Sequence, residues 1–420
     1  MRKICITPLD SWVKKKTCGD LAAYQLNMLN ETLSTAQRSS YYLERLPRRV
    51  ESLAELQSLP TTSADDLTLS GTGLVCVPQH EISRIVTLDT SGSTGAPKRV
   101  YFTEDDRELT VDYFANGLPT VVSRGETMAI FLPCERPGGV GDLIAQALER
   151  MCVKPVRHGP VTDLSSCANV LRDSGADTIV GTSVHVLATA RYCEAAGINA
   201  NIRAVLLSAD NVPRVVRREL GRIWGCEVYE HYGMTEMGLG GAIDCDAHDG
   251  CHIRENDLLF EIIDERGNPL PDGIEGEIAF TTLTRRGMPL VRYRTGDISR
   301  IISGRCACGS ELKRVAPIMG RIDSDVRMAC GSVIRMRDFD EVLFGVPYVS
   351  DFRLIAYPQD NLLCIHIDTQ DSFCEFIKPS AVKVKELLHD SRLIRGVEVK
   401  VDIVRHPNVL PLYAGKRKIT

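Results

Sequence analysis

The sequence lacks several features that would place the protein in a membrane or on nucleic acid. The 420-residue chain has no run of 18 apolar residues, so no membrane-spanning helix is expected. The basic residues near the N-terminus are not followed by the apolar segment that a secretory signal requires. Acidic residues number 55 and basic residues 50, which argues against a nucleic-acid-binding protein. We therefore expect a cytoplasmic protein of two or three domains that binds neither membrane nor nucleic acid.

Two common phosphate-binding signatures are also missing, although one loop has a suitable composition. The chain contains neither a Walker A pattern nor the Gly-x-Gly-x-x-Gly fingerprint of dinucleotide-binding folds. Residues 87–103 nevertheless read TLDTSGSTGAPKRVYFT, a stretch of glycine and hydroxyl residues that ends in a proline and Lys98. Such a loop offers N–H groups, hydroxyls and a cation to phosphate oxygens. Its composition alone is equally typical of a surface turn.

The pattern of apolar residues predicts an α/β fold. Residues 1–80 have helical spacing and cap residues. Between residues 127 and 232, apolar runs alternate with helical segments that end at glycine, which is typical of a parallel, doubly wound sheet. From about residue 252, turns and alternating segments predict a small β-rich subdomain. Residues 323–420 predict a small α+β domain with two helices on an antiparallel sheet.

Three further segments carry residues that could contact a nucleotide. HYGMTE at 231–236 follows a predicted strand and offers an aromatic ring, a hydroxyl and a carboxylate, the last a suitable ligand for Mg²⁺. RYRTGD at 292–297 ends in a carboxylate that could accept hydrogen bonds from a ribose. GRID occupies 320–323, before the last domain. Each segment alone is more typical of a turn or a surface carboxylate, but their combination and order favour a shared site.

Together with SGSTGAPK and a C-terminal PLYAGK, these motifs resemble the adenylate-forming acyl-CoA synthetase superfamily. Within it, the segments TTLTRRGMPLVRYRTGD and LPTTSADDL resemble those of the phenylacetate–CoA ligase group. The resemblance covers nearly the whole chain. It implies a large N-terminal AMP-binding domain at 1–322, with doubly wound sheets and a β-rich subdomain at about 245–320. A small mobile α+β domain at 323–420 would follow.

The resemblance also implies an activity. The protein would use ATP and Mg²⁺ to activate a carboxylic acid, aryl or arylacetic, and would transfer the acyl group from the acyl-adenylate to coenzyme A. AMP and pyrophosphate would be released, and the resemblance suggests a homodimer. A carboxylate is already ionised at neutral pH, so the reaction needs positioning and charge neutralisation rather than a general base. Two alternatives stay open: transfer to a carrier-protein thiol, and adenylylation of another small cofactor.

Roles for individual residues follow from the same resemblance. The expected catalytic residues are Lys98, Thr235, Glu236 and Lys416, with Glu236 binding Mg²⁺ and Lys416 bridging phosphate and substrate carboxylate. Asp323 would be the hinge. Asp210 stands where the family more often has glutamate. The residues expected to bind the nucleotide are Ser91, Ser93, Thr94, Gly95, Ser208, Ala209, Asp210, Tyr232, Asp297 and Arg321.

The cysteines suggest a metal site of a different kind. Fifteen scattered cysteines, an odd number, indicate reduced thiols in a cytosol. DCDAHDGCHIRE at 244–255 and SGRCACGSEL at 303–312 together predict a structural zinc site with Cys245, His252, Cys306 and Cys308 as ligands. Cys251 is the alternative to His252, because neighbours in a strand point to opposite faces. Unligated, reduced thiols are the alternative to zinc.

Overall fold

The computed structural model describes residues 9–10, 13, 20–88, 97–322, 324–374, 378–410 and 417–420. The chain forms two compact units. The first consists of Met1–Thr120 and His231–Ile318, and the second of Val121–Glu230 and Met319–Thr420. The predicted boundary between an AMP-binding domain and a mobile C-terminal domain at residues 322 and 323 rests on the family resemblance and stays a prediction. Among the helices of the described residues, none combines the length and the apolar character needed to cross a bilayer.

Ten α-helices have both ends within the described residues. Their caps explain several of the boundaries. Thr103 accepts a hydrogen bond from Asp106 N–H at the start of one helix, and Gly175 ends another in the left-handed conformation. In chain order the helices are α1 (Leu21–Ala36), α2 (Leu53–Leu56), α3 (Ala64–Ser70), α4 (Glu104–Gly117), α5 (Val140–Arg150), α6 (Leu164–Ser174), α7 (Ser183–Ala195), α8 (Arg214–Trp224), α9 (Met336–Leu343) and α10 (Ala381–Asp390).

The described residues also form twenty β-strands, several of them only two or three residues long. In chain order they are β1 (Ile82–Leu88), β2 (Lys98–Thr103), β3 (Thr127–Ile130), β4 (Lys154–Arg157), β5 (Thr178–Gly181), β6 (Ala204–Leu207), β7 (Glu227–Tyr232), β8 (Ala242–Ile243), β9 (Cys251–Ile253), β10 (Leu258–Ile263), β11 (Gly276–Thr282), β12 (Tyr293–Ser299), β13 (Ile301–Ile302), β14 (Arg314–Val315), β15 (Gly320–Arg321), β16 (Val326–Arg327), β17 (Val333–Ile334), β18 (Asp351–Tyr357), β19 (Leu362–Gln370) and β20 (Glu398–His406).

The second unit contains the predicted parallel sheet. Its strands are hydrogen-bonded in the order β4-β3-β5-β6-β7, and every neighbouring pair is parallel. β5 and β6 are buried along their whole length, which explains their continuous apolar sequence. Helices α6, α7 and α8 contribute buried apolar residues to the same core. The predicted alternation of strands and glycine-terminated helices is therefore confirmed.

The small C-terminal sheet differs from the prediction in one strand pair. β18 and β19 are antiparallel, as expected, but β19 and β20 are parallel over nine residue pairs. Helix α10 connects β19 with β20, and a strand that returns after a crossover helix lies parallel to its predecessor. The expectation of an antiparallel sheet was wrong for this pair, because the helix was identified from the sequence but not its role as a crossover.

The first unit is largely antiparallel in its β-rich part. β10, β11 and β12 form a meander, while β13, β14, β9 and β8 pair in that order. The end of β7 pairs with β8, and β1 pairs with β2. A buried apolar core lies beneath these strands and helices α1 and α3. Short, mostly antiparallel strands are what the sequence predicts for this region, and the bounds of a β-rich subdomain at about 245–320 stay a prediction.

Candidate active site and metal cluster

One cluster in the first unit joins three of the motif segments. Lys98 begins β2, Glu236 lies in a short 3₁₀ turn at Thr235–Met237, and Tyr293 begins β12. Lys98 Nζ donates to Glu236 Oε1. The Tyr293 hydroxyl donates to the same oxygen at 3.1 Å and lies 3.4 Å from Lys98 Nζ. The Glu236 side chain is only 2% exposed, so the cluster is a buried carboxylate paired with one cation and hydrogen-bonded by one hydroxyl.

The turn that carries Glu236 depends on a glycine. A Cβ atom at Gly233 would lie 2.0 Å from the Leu239 carbonyl oxygen, so no larger residue fits there without a backbone shift. Thr235, the other predicted catalytic residue of the turn, is half-buried. The tight return of the chain places Thr235 and Glu236 directly after the end of β7. The HYGMTE motif is therefore a strand end followed by a constrained turn.

A second contact joins the HYGMTE and RYRTGD motifs. The Tyr232 hydroxyl donates to Asp297 Oδ2 at 3.0 Å, and both residues are buried, Asp297 completely. The Tyr232 ring lies edge-on to Phe260, with 6.1 Å between the ring centroids. The predicted adenine-stacking residue and the predicted ribose-binding carboxylate are thus direct neighbours. Tyr293 was missed by the sequence reasoning, although it is the tyrosine of RYRTGD, because nothing in the motif indicates which of its side chains meets Glu236.

Other predicted site residues lie in the second unit. Ser208 follows β6, and its N–H donates to the Gly181 carbonyl at 2.9 Å. Ala209 has a φ of 71°, which only a few non-glycine residues adopt. Arg321 is exposed and ends β15. Ser208–Asp210 follows the carboxyl end of a parallel strand, where ligands of such sheets bind. Six predicted residues lie outside the described residues: Ser91, Ser93, Thr94, Gly95, Asp323 and Lys416.

Asp210 belongs to a buried ionic cluster that the sequence did not indicate. Arg417 Nη1 lies 3.2 Å from Asp351 Oδ1, its Nε lies 3.5 Å from Asp210 Oδ2, and its Nη2 pairs with Asp340. Burial raises the pKa of Asp340 to about 7 and that of Asp351 to about 6, even though Arg417 acts in the opposite direction. Burial is the main cause of both raised pKa values, and a neighbouring carboxylate adds to each, Asp210 for Asp340 and Asp368 for Asp351.

The four predicted metal ligands converge in the first unit. One donor atom from each of Cys245, His252, Cys306 and Cys308 lies within 4.8 Å of the other three. Cys245 Sγ is 3.7 Å from Cys306 Sγ, and Cys308 Sγ is 3.4 Å from His252 Nε2. Tetrahedral zinc bound to sulfur at about 2.3 Å has ligand atoms about 3.8 Å apart. The geometry of the cluster therefore fits a zinc ion.

Contacts around this cluster also match a metal site. His252 Nδ1 lies 3.3 Å from the Leu312 carbonyl, so it can donate there and leave Nε2 free to bind metal. Ser310 N–H points at Cys308 Sγ at 3.5 Å, as expected in a Cys-x-Cys-Gly turn. Cys251 packs in the apolar core instead. The group of neighbouring donor atoms contains His252 and not Cys251, which favours His252 as the fourth ligand.

Comparison with known proteins agrees with this geometry. A family model described as AMP-binding enzyme matches residues 34–283, which is more than half of the chain. The chain belongs to the AMP-binding enzyme family. Phenylacetate-coenzyme A ligase of Aromatoleum evansii is 27% identical, over 97% of this chain and 95% of that protein. The ligase of the same name from Escherichia coli K12 is 28% identical, over 98% of this chain and 96% of its own length.

A solved structure also shares the fold of this AMP-binding enzyme. It is 2-hydroxyisobutyryl-CoA ligase in its postadenylation state with R3-HIB-AMP, with a TM-score of 0.80 and 19% sequence identity. The match covers 94% of this chain and 88% of that one. The predicted fold class and the resemblance to adenylate-forming enzymes are confirmed.

Proposed function

We propose that the protein is an AMP-forming acid–CoA ligase. It activates a carboxylic acid with ATP, giving an acyl-adenylate and pyrophosphate, and the coenzyme A thiol then displaces AMP. The observation that carries the proposal is that Lys98, Glu236 and Tyr293 meet in a chain of the AMP-binding enzyme family, and that Tyr232 and Asp297 of the same two motifs also pair. Relatives named phenylacetate-coenzyme A ligase extend over nearly its full length.

Glu236 fits the role of a Mg²⁺ ligand. Magnesium is held in nucleotide sites by one or two carboxylates together with substrate phosphates and water. Glu236 provides a buried carboxylate that is paired with the Lys98 ammonium and accepts a hydrogen bond from the Tyr293 hydroxyl. When bound, the ion would neutralise phosphate charge. Lys98 would then leave Glu236 and approach the phosphates, since it directly follows the SGSTGAP segment.

Asp297 and Tyr232 support the nucleoside half of the site. Asp297 is a buried acceptor that could bind the ribose hydroxyls, and the Tyr232 hydroxyl orients its carboxylate. The remaining assignments rest on the family resemblance. Ser208, Ala209 and Asp210 would meet the adenine edge, and Arg321 would assist Asp297. The phosphates would contact the segment that contains Ser91, Ser93, Thr94 and Gly95.

The C-terminal part at 323–420 is proposed to be mobile, with Asp323 as the hinge and Lys416 as the lysine that bridges phosphate and acid. A Lys416→Ala enzyme should lose adenylation far more than the CoA-dependent consumption of supplied acyl-adenylate. The two half-reactions are measured separately, by pyrophosphate exchange and by thioester formation. Equal losses in both would remove Lys416 from its assigned role.

The acid is proposed to be aryl or arylacetic, because the curated relatives are phenylacetate ligases. The decisive experiment measures acid-dependent pyrophosphate–ATP exchange with phenylacetate, benzoate and aliphatic acids, followed by thioester formation with coenzyme A. Exchange with an aromatic acid and a CoA product support the proposal. Exchange without any CoA product would favour a carrier thiol as acceptor, and no acid-dependent exchange would contradict an acid ligase altogether.

The Cys245–His252–Cys306–Cys308 cluster is proposed to bind structural zinc. Four protein ligands complete a tetrahedral shell and leave no position for substrate. We also propose that the protein acts in the cytoplasm, because none of its thirteen described cysteines forms a disulfide bond. A net charge of −5 supports the absence of binding to nucleic acid and to anionic membranes. A homodimer, inferred from the family resemblance, would be tested by light scattering.

A further inference from the structure

Arg285 is a buried cation whose contacts link two of the motif segments. It lies in the loop after β11, and its side chain is only 6% exposed. Buried arginines are usually paired with carboxylates. The terminal nitrogens of Arg285 instead donate to two backbone carbonyls, that of Glu236 at 2.5 Å and that of Tyr101 at 3.0 Å. Its guanidinium also packs on Phe102, 4.3 Å from the ring centroid.

The two carbonyls belong to the segments that carry Lys98 and Glu236. Tyr101 lies in β2, the strand that Lys98 begins, and Glu236 lies in the 3₁₀ turn. The planar guanidinium can bond to both at once because its donors point in fixed directions. Arg285 is therefore a backbone cross-link between the strand of Lys98 and the turn of Glu236.

The same two segments are also joined by the Lys98–Glu236 ion pair, which cannot persist during the proposed reaction. Lys98 would have to leave Glu236 Oε1 to reach phosphate, and its departure would free that oxygen as a ligand for Mg²⁺. The bonds from Arg285 involve carbonyls that take no part in either event. We propose that Arg285 is a positioning residue that keeps Glu236 and Lys98 at a fixed spacing while their own ion pair opens. This inference rests on the proposed function.

The loop that carries Arg285 is itself held in place. Asp106, in the first turn of α4, accepts hydrogen bonds from Arg286 N–H at 2.8 Å and from Gly287 N–H at 3.0 Å. A Cβ atom at Gly287 would lie 2.6 Å from Asp106 Oδ2, so the close approach requires glycine. The backbone of the loop that carries Arg285 and the guanidinium group itself are therefore both held by hydrogen bonds.

The charge of Arg285 supports the same role. Its guanidinium interacts electrostatically with two carboxylates, that of Asp106 more strongly and that of Glu236 less so. The guanidinium therefore keeps a positive charge near Glu236 after Lys98 has moved away. A lysine at this position would keep a charge but could not span both carbonyls with the same geometry. Substitution of Arg285 by lysine can therefore separate the effect of its charge from its effect on the spacing of the two carbonyls.

The test compares Arg285→Lys with Arg286→Lys. Arg286 is the adjacent residue, its side chain is 73% exposed, and it has no assigned role in the site. For Arg285→Lys we expect the turnover of acid-dependent pyrophosphate exchange to fall about 10- to 100-fold, or about 1.4–2.7 kcal/mol. The Mg²⁺ concentration for half-maximal exchange should rise several-fold while KM for the acid is unchanged. Arg286→Lys should stay within twofold of the unsubstituted protein.

A second measurement avoids catalysis. Binding of ATP at increasing Mg²⁺ is followed by calorimetry in both variants and in Arg285→Gln, which keeps donors but loses the charge. We expect added Mg²⁺ to increase the affinity for ATP less in both Arg285 variants than in the unsubstituted protein. In Arg286→Lys, the increase should be unchanged. An unchanged Mg²⁺ dependence in folded Arg285 variants would overturn the proposal, as would a loss of activity matched by the loss of folded protein. If the unsubstituted protein binds Mg²⁺ and ATP but shows no acid-dependent exchange, the proposed function fails while the binding comparison still tests Arg285.

Discussion

Two clusters in the first unit, both assembled from distant segments, differ in what their chemistry demands. In the Lys98–Glu236–Tyr293 cluster, the carboxylate accepts hydrogen bonds from one ammonium and one hydroxyl. These are non-covalent contacts that a ligand or a metal ion could replace. The Cys245–His252–Cys306–Cys308 cluster brings four soft ligands together with no position left over. Under the proposed function, the first cluster would open when a nucleotide binds, and the second would stay closed around its metal.

This difference predicts different consequences of substitution. Substitution of a residue in the Cys245–His252–Cys306–Cys308 cluster should lower stability and affect activity only through the amount of folded protein. Substitution of a residue in the Lys98–Glu236–Tyr293 cluster should lower turnover with little change in stability. The following predictions test that separation, beginning with the largest expected effect.

Cys306→Ser should destabilise the protein most. Serine is a poor zinc ligand, so the ion would be lost or weakly held, and several kilocalories per mole of folding free energy would go with it. We expect a loss of at least about 4 kcal/mol, which is exceptional for one substitution. Zinc content by mass spectrometry and the free energy of unfolding by urea titration provide the measurement.

The matched control is Cys251→Ala, which removes a buried thiol from the neighbouring apolar core. It should keep one zinc per chain and lose about 1 kcal/mol. Two results together would contradict a zinc site: purified protein that contains well under one zinc per chain, and equal losses of stability from the two substitutions. The three cysteines would then be reduced thiols without a metal.

Glu236→Gln should have the largest effect on catalysis. The amide keeps the shape of the side chain but removes the charge that binds Mg²⁺, so we expect adenylation to fall about 100- to 1,000-fold. The melting temperature should change by only a few degrees, because Lys98 is partly exposed and can be hydrated. Pyrophosphate exchange and differential scanning fluorimetry are the measurements.

Glu261→Gln is the control for the loss of a buried, ion-paired carboxylate. Glu261 pairs with Arg292 at 3.1 Å and is nearly as buried as Glu236. Its substitution should lower stability and leave the turnover of folded enzyme within about threefold. If both variants lose turnover equally, the assignment of Glu236 to the reacting phosphates would be wrong.

The sequence was sufficient to predict those parts of the fold and the site that depend on neighbouring residues in the chain. Strand alternation separated Cys251 from His252, and the glycine after Cys308 indicated a turn suited to thiolate ligands. Tyr232 and Asp297 could be placed together because each belongs to a recognisable motif. The roles of Tyr293, Arg285 and Arg417 could not be predicted, because each depends on which distant backbone or carboxylate group the fold brings near. The parallel pairing of β19 and β20 was missed for a similar reason, since the crossover direction of α10 is a tertiary property.

The Arg417 cluster in the second unit should give the smallest effect, and one that depends on pH. The pKa values of Asp340 and Asp351 are raised to about 7 and about 6, so between about pH 4 and pH 7 the folded protein binds more protons than the unfolded chain. Stability from these groups is therefore present at low pH and is lost as pH rises through 6 to 7. Asp340→Asn removes one ionisable group and still leaves Arg417 paired with Asp351 and Asp210.

We expect the decline in unfolding free energy between pH 5 and pH 7.5 to be smaller in Asp340→Asn by about 1–2 kcal/mol. The measurement is urea unfolding at several pH values. Asp173→Asn, which removes an exposed carboxylate paired with Arg172, should leave the slope unchanged. An identical slope in Asp340→Asn and the unsubstituted protein would mean that Asp340 is already ionised at pH 5. Arg417 would then hold its three carboxylates as a permanently charged cluster, fixed like the cysteine cluster and insensitive to pH.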